Sequence, residues 1–183
     1  MTTVFKNALL NNISPALAVT TVTAGSPSAG SVTLAFTTQA ATPFPIGSYI
    51  YVSGISVSGY NGYQQVTGAT ASSVTYANAT TGAATGGIVT TVIWQTNASA
   101  KTTVIGLTLT NTSPNVITGT VQLQDTVAAT SAYYASNIII PGYQSLRLVS
   151  QGEKLVLGPS TNVLVNTNSS SSIDVTASWV EIS

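Results

Sequence analysis

The sequence predicts an all-β protein: a β-sandwich, jelly-roll-like or Ig-like, with a second small β-barrel or sandwich domain inserted near the amino terminus. Three observations carry that prediction. Apolar residues recur with period two instead of 3.6, in short β-branched and aromatic runs. Those runs are separated by Gly, Pro, Asn and Ser. Formal charge is absent from Asn7 to Ala100, and every charged residue except Lys6 falls between Lys101 and Glu181, which leaves a compositional seam near residue 95.

The seam divides the chain into residues 1–15, 16–92 and 93–183. Thr3 to Leu10 is apolar but alternates poorly, and 1–15 is expected to be an arm or strand that joins the carboxy-terminal domain. Within 16–92, Ser31 to Thr37 reads as a strand with Val32, Leu34 and Phe36 on one face. Pro43-Phe44-Pro45 marks a turn, because two prolines remove ladder donors. Ser48 to Val52 alternates Tyr49 and Tyr51 with Ile50 and Val52. Asn61-Gly62 suits a tight turn with positive φ. Gln64 to Thr67, Ser73 to Tyr76 and Gly87 to Trp94 read as strands, and Gly82 to Gly87 as a hairpin turn.

In 93–183 the pieces are longer: Thr103 to Thr110, Val116 to Gln124 and Ala132 to Ile140. Ser145 to Ser150 and Lys154 to Leu157 then read as a hairpin about Gln151-Gly152-Glu153. Val163 to Asn166 and Ser172 to Ile182 close the domain. The last strand places Ile173, Val175, Ala177 and Trp179 on one face, with Asp174, Thr176 and Ser178 on the other. Burying such a face against a second sheet makes a sandwich.

Only 4% of the residues are charged, against roughly 25% in an ordinary soluble domain. The net charge is zero, so no basic field exists to neutralise phosphates, and nucleic acid is not an expected partner. Near-zero net charge favours association, and the surface reads as one packed against copies of itself or neighbours. Cysteine is absent, which removes disulfides and thiolate metal sites and leaves the redox compartment open. Met1 to Leu10 lacks an uninterrupted apolar core before Asn11, Asn12 and Pro15, so no secretory leader is expected. No run of about 18 apolar residues occurs, so no membrane-spanning helix is expected. An outer-membrane β-barrel would need a leader and aromatic girdles that the sequence does not offer.

Histidine is absent as well. A Ser–His–Asp triad, a thiol nucleophile and a His-ligated zinc all lack their central residue. Paired-carboxylate catalysis has only Asp125, Glu153, Asp174 and Glu181 to draw on, and the odd spacing of Asp174 and Glu181 sets them on opposite faces of a regular strand. No catalytic, cofactor-binding or metal-binding residue is assigned, no cofactor is expected, and the protein is expected not to be an enzyme. Gly82-Ala83-Ala84-Thr85-Gly86-Gly87 lacks the lysine of a phosphate cradle. Asn78-Ala79-Thr80 and Asn97-Ala98-Ser99 fit the glycosylation pattern by chance in a Thr- and Asn-rich chain. Tyr60 and Tyr63, in the cluster with Tyr49, Tyr51 and Tyr76, are candidate glycan contacts, since a phenol joins an apolar ring to a polar tip. Arg147 with Glu153 or Asp174 is a candidate ion pair, across strands or between subunits.

Two stretches carry a resemblance. Pro43 to Val89 resembles a small β module of phage structural and tail-associated proteins, through Gly47, Val52-Ser53-Gly54, Gly59-Tyr60-Asn61-Gly62, Val66, Ser73 to Ala77, Thr81-Gly82 and Gly86-Gly87. Met1 to Asn7 followed by Thr102 to Ser183 resembles a compact tailed-phage virion protein. Val4-Phe5-Lys6-Asn7, Thr103-Val104-Ile105-Gly106-Leu107, Pro141-Gly142, Lys154-Leu155-Val156-Leu157 and Ser178-Trp179-Val180-Glu181-Ile182-Ser183 carry that second likeness, which is split around the first. The resemblance implies a virion part, assembled in the host cytoplasm and carrying no active-site residue. The expected role is a homo-oligomer, a trimer foremost, acting as a capsid decoration, cement, neck or fibre element. Its partners would be other virion proteins such as major capsid, portal, neck or tail proteins, with neither nucleic acid nor membrane. The alternative is a carbohydrate- or receptor-binding module of a tail tip or fibre.

Overall fold

The computed structural model describes residues 1–24, 30–150 and 152–183, so Gln151 of the anticipated turn lies outside the described residues. These form fourteen β-strands and one 3-10 turn, with no α-helix among them. By their contacts they divide into two compact units, Ser14–Val92 and Met1–Ile13 with Ile93–Ser183. Each has its own apolar core.

Strand β1 (Thr3–Ile13) belongs to the second of these units. The first unit is a closed six-stranded barrel built from β2 (Leu17–Ala24), β3 (Ser31–Phe36), β4 (Tyr49–Ser53), β5 (Gly62–Ala69), β6 (Ser73–Ala77) and the first part of β7 (Ile88–Gln95). The ring runs β7-β2-β3-β6-β5-β4 and returns to β7, so no edge is left open. Alternation does the sorting. Val32, Leu34 and Phe36 of β3, Ile50 and Val52 of β4, and Val74 and Tyr76 of β6 all point into the barrel, while Tyr49 and Tyr51 stay on its outside, half-buried.

Two loop devices close the ring. Gly87 adopts φ 107°, and a Cβ there would lie 2.5 Å from Ile55 Cγ1 and 3.2 Å from the Ser53 carbonyl oxygen, so only glycine lets the chain pass the end of β4. The Asn61 amide substitutes for a strand neighbour, since its Oδ1 accepts from the Ile55 N–H at 2.9 Å and its Nδ2 donates to the Ile55 carbonyl at 3.0 Å. The segment from Gly82 to Gly87 is not a hairpin turn: β6 pairs with β3 and β5, β7 pairs with β2 and β4, and the glycines carry the chain between non-neighbouring strands.

The second unit adds β8 (Lys101–Asn111), β9 (Ile117–Asp125), β10 (Thr130–Ile140), β11 (Ser145–Val149), β12 (Leu155–Leu157), β13 (Thr161–Thr167) and β14 (Ile173–Ile182). One sheet has the order β1-β14-β8, with β11 and β12 both on the far side of β8. The expected hairpin between β11 and β12 is therefore corrected. Leu146 sits opposite Leu109 and Leu155 opposite Val104, so the two short strands follow one another along a single edge of β8. In the other sheet β10, β9 and β13 are neighbours in that order, with β7 next to β13.

One core unites these strands. Val104, Leu107 and Leu109 of β8 with Val175, Ala177 and Trp179 of β14 meet Ile117 and Val121 of β9 and Val163 and Val165 of β13. Gly119 on β9 marks a tight approach, because a Cβ there would come within 2.9 Å of Leu109 Cδ1 and 3.3 Å of Ile173 Cδ1. The amino-terminal strand pairs antiparallel with the last one, Thr3 opposite Ile182 through Leu10 opposite Val175.

Candidate assembly surface

Directly opposed residues of antiparallel strands share a face, so the register divides the five-stranded sheet into two sets. Ala8 beside Ala177, Leu10 beside Val175 and Val104 beside Trp179 face the core. Phe5 beside Val180, Asn7 beside Ser178 and Leu9 beside Thr176 face away from it. The same outward set continues through Thr108 and Thr110 of β8 to Arg147 of β11 and Val156 of β12.

Sheet faces turned to water are usually polar, and this one sets exposed apolar side chains among Asn, Ser and Thr. Phe5 is 76% exposed, Leu9 74% and Val156 65%. Between them Gly106 contributes no side chain, and a shallow hollow of about 290 Å3 lies over it, bordered by Asn7, Leu9, Thr108, Thr176 and Ser178. The free side of β1 adds a second feature. From Thr3 to Leu10 its ladder to β14 runs without a bulge and the segment contains no proline, so it presents an unbroken row of backbone donors and acceptors. The edge strand of the other sheet is protected differently. Strand β10 shifts register between Tyr133 and Ala135 and again between Ala135 and Ile138, and Asn137 at φ 50° bends it, which spoils it as a template for another strand.

At β1 lies a polar cluster in which Glu181 is buried and Lys6 is exposed. Lys6 Nζ donates to Glu181 Oε2 at 2.7 Å, and Trp179 Nε1 donates to Glu181 Oε1 at 3.0 Å. Trp179 in turn stacks on Trp94 with ring centroids 4.5 Å apart and planes 10° from parallel. Burial acts to raise the Glu181 carboxyl. The hydrogen bonds from Lys6 and Trp179 and the Lys6 charge outweigh it, so the group titrates below the usual glutamate range. A depressed folded-state value means that this stabilisation is present above the unfolded-state pKa and is lost as pH falls through the folded one. Between about pH 5 and pH 3, the urea midpoint of the wild type is expected to fall more steeply than that of Glu181→Gln. Parallel curves would show that the carboxylate contributes nothing specific.

The expected site residues are distributed as follows. Tyr60 is a correction: it sits fully buried at the end of the 3-10 turn Ser58–Tyr60, its hydroxyl donating to the Gly82 carbonyl at 2.8 Å, and its ring has no face left for a sugar. Tyr63 is half-buried on the barrel exterior and stacks on Tyr49 at 4.8 Å, with planes 6° from parallel. Burial first, and Tyr49 second, push its phenol well above the usual tyrosine range. Arg147 forms no ion pair within the chain with Glu153 or Asp174. Among the described residues the ion pair is Lys6 with Glu181. Glu153 accepts from the Ser150 hydroxyl at 3.3 Å, and Asp174 accepts the Asn12 N–H at 3.0 Å.

Phe5, Leu9 and the Lys6–Glu181 pair were not singled out from the sequence as site residues, because Val4-Phe5-Lys6 carries apolar residues on both faces and hides its alternation. Among the described residues no group of three or more Asp or Glu side chains is arranged to hold a metal ion. No family model, no curated protein and no solved structure matches the chain.

Proposed function

We propose that this chain is a non-enzymatic structural protein of a tailed-phage virion, a homo-oligomer of trimeric order that serves as a capsid decoration, cement, neck or fibre component. The observation that carries the assembly reading is the outer face of the five-stranded sheet, where Phe5 and Leu9 stand exposed on an unprotected edge strand and Val156 stands exposed on the opposite side. Exposed large apolar side chains rimmed by polar residues on one face of a folded domain mark an interaction site. The virion setting is supported by the sequence likeness of the two split stretches, and it implies residence in the particle after assembly in the host cytoplasm, against other virion proteins.

In this reading residues 1–15 and 93–183 make one β-sandwich, jelly-roll-like or Ig-like, and the barrel of residues 16–92 is an insertion. Two separate cores support the division. Joining the chain across a deletion of residues 16–92 is expected to leave a soluble protein that melts cooperatively. An aggregated or unfolded product counts against insertion. Gel filtration with light scattering of the intact chain tests the assembly reading. Oligomers that incorporate into particles are expected, and a monomer that persists at high concentration and stays off particles would overturn it. The receptor-binding alternative has lost Tyr60, one of its two candidate rings, to the barrel core.

A further inference from the structure

We infer that copies of this chain meet through the outer face of the five-stranded sheet, the β11 side of one subunit against the β1–β14 side of the next, with Arg147 of one paired to Asp174 of the other. The inference rests on the homo-oligomeric reading above and gives it an interface.

The chain has four basic and four acidic residues. Lys6 and Glu181 satisfy each other, and Asp125 accepts the N–H groups of Val127 and Ala128 at 2.8 and 2.9 Å in its turn. Arg147 is exposed, and among the described residues it makes no ion pair.

The ladder places Arg147 in the row Thr176, Thr108, Arg147, and Asp174 in the neighbouring row Asp174, Thr110, Ser145. Both point outward, because the alternating Ile173 and Val175 point into the core. They stand two strands and one row apart, roughly 12 Å at about 4.8 Å per strand and 3.4 Å per residue, and no pair forms between them within the chain. Their positions on the face differ in a useful way. Arg147 lies on the β11 edge, and Asp174 lies toward β1.

A contact between opposite sides of one face is heterologous, and a heterologous contact closes into a ring when the rotation allows. With three subunits turning these faces to a common axis, each gives an arginine to one neighbour and a carboxylate to the other. Asp174 spends Oδ1 on the Asn12 N–H, which leaves Oδ2 for the incoming guanidinium. The apolar residues divide in the same way, with Phe5 and Leu9 on one side and Val156 on the other. A second copy is the occupant because it brings both signs of charge and both apolar patches to the face at once. A partner of one sign would leave either Arg147 or Asp174 facing a like charge or none.

Analytical ultracentrifugation of the full chain tests this with a charge exchange. Arg147→Asp and Asp174→Arg are each expected to weaken self-association about ten-fold or more, and the double variant to recover to within about three-fold of wild type, because rim charges swapped together restore complementarity. Leu9→Asn adds an uncharged probe, with a loss of similar size and an unchanged monomer melting curve. Should Asp174→Arg disturb the irregular end of β1 at Asn12, Arg147→Asp and Leu9→Asn still decide the matter. Variants that assemble as tightly as wild type would overturn this interface while leaving the homo-oligomer intact. A wild type that never associates would instead overturn the proposed function itself.

Discussion

Replacing Asn111 with alanine is expected to destabilise the second unit by about 2–4 kcal/mol, because the buried Ile140 carbonyl goes unpaired and the bonds to Asn115, Pro141 and Ser113 are lost with it. Asn111 ends β8 and is 1% exposed. Its Nδ2 donates to the carbonyls of Asn115 at 2.7 Å, Ile140 at 3.0 Å and Pro141 at 3.1 Å, and its Oδ1 accepts from the Ser113 N–H at 2.9 Å and the Ser113 hydroxyl at 2.8 Å. One amide thus ties the turn after β8 to the end of β10 and the start of the β10–β11 turn. Water has little access to the Ile140 carbonyl, since Ile140 is itself 1% exposed, so the lost partner is not replaced. Ser113→Ala removes only a hydroxyl at the rim and is expected to cost about 1 kcal/mol. Urea unfolding followed by fluorescence of the Trp94–Trp179 stack measures both variants in the same unit. A midpoint shift for Asn111→Ala no larger than that of Ser113→Ala would show that the amide is not the clamp.

Strand character was legible in the sequence wherever one face is apolar and the other is not. Val32, Leu34 and Phe36, or Ile173, Val175, Ala177 and Trp179, point to their cores as the alternation predicts. Strand β2 escaped notice for a physical reason: its register shifts between Val19 and Thr21, so the buried pair Leu17 and Val19 is followed by a phase change that breaks the period. Strand pairing was less legible than strand identity. Nothing local in Ser145 to Leu157 distinguishes two strands that pair with each other from two that share the edge of β8, because the partner lies more than thirty residues away in sequence. The candidate site was legible in part. Arg147 and Asp174 were marked by the scarcity of charge around them. Phe5 and Leu9 become conspicuous only once pairing with β14 fixes which face of β1 turns to the core and which turns away.

Tyr60→Ala is expected to cost the barrel about 3–5 kcal/mol, the range for emptying a buried aromatic site, whereas Tyr63→Ala should cost about 1 kcal/mol or less, as a cross-strand ring contact on a half-open surface. The difference follows from what each ring touches. Tyr60 is fully buried among the barrel residues, its hydroxyl donates to Gly82, and its carbonyl accepts the Tyr76 hydroxyl at 2.8 Å. Removing the ring opens a cavity and frees the Gly82 carbonyl together. Tyr60→Phe keeps the ring and loses only the hydrogen bond, so it should recover most of the loss and leave about 1–2 kcal/mol. Tyr63 contributes its stack with Tyr49 on the outer surface, and the barrel closes without it. Hydrogen exchange of the β3 to β6 amides gives the readout, with protection falling in Tyr60→Ala and holding in Tyr63→Ala. This ordering also governs how a receptor experiment is to be interpreted. Lost binding in Tyr60→Ala reports only an opened barrel, so the receptor-binding alternative stands or falls on Tyr63→Ala, the variant in which the fold is retained and an outward-facing ring is gone.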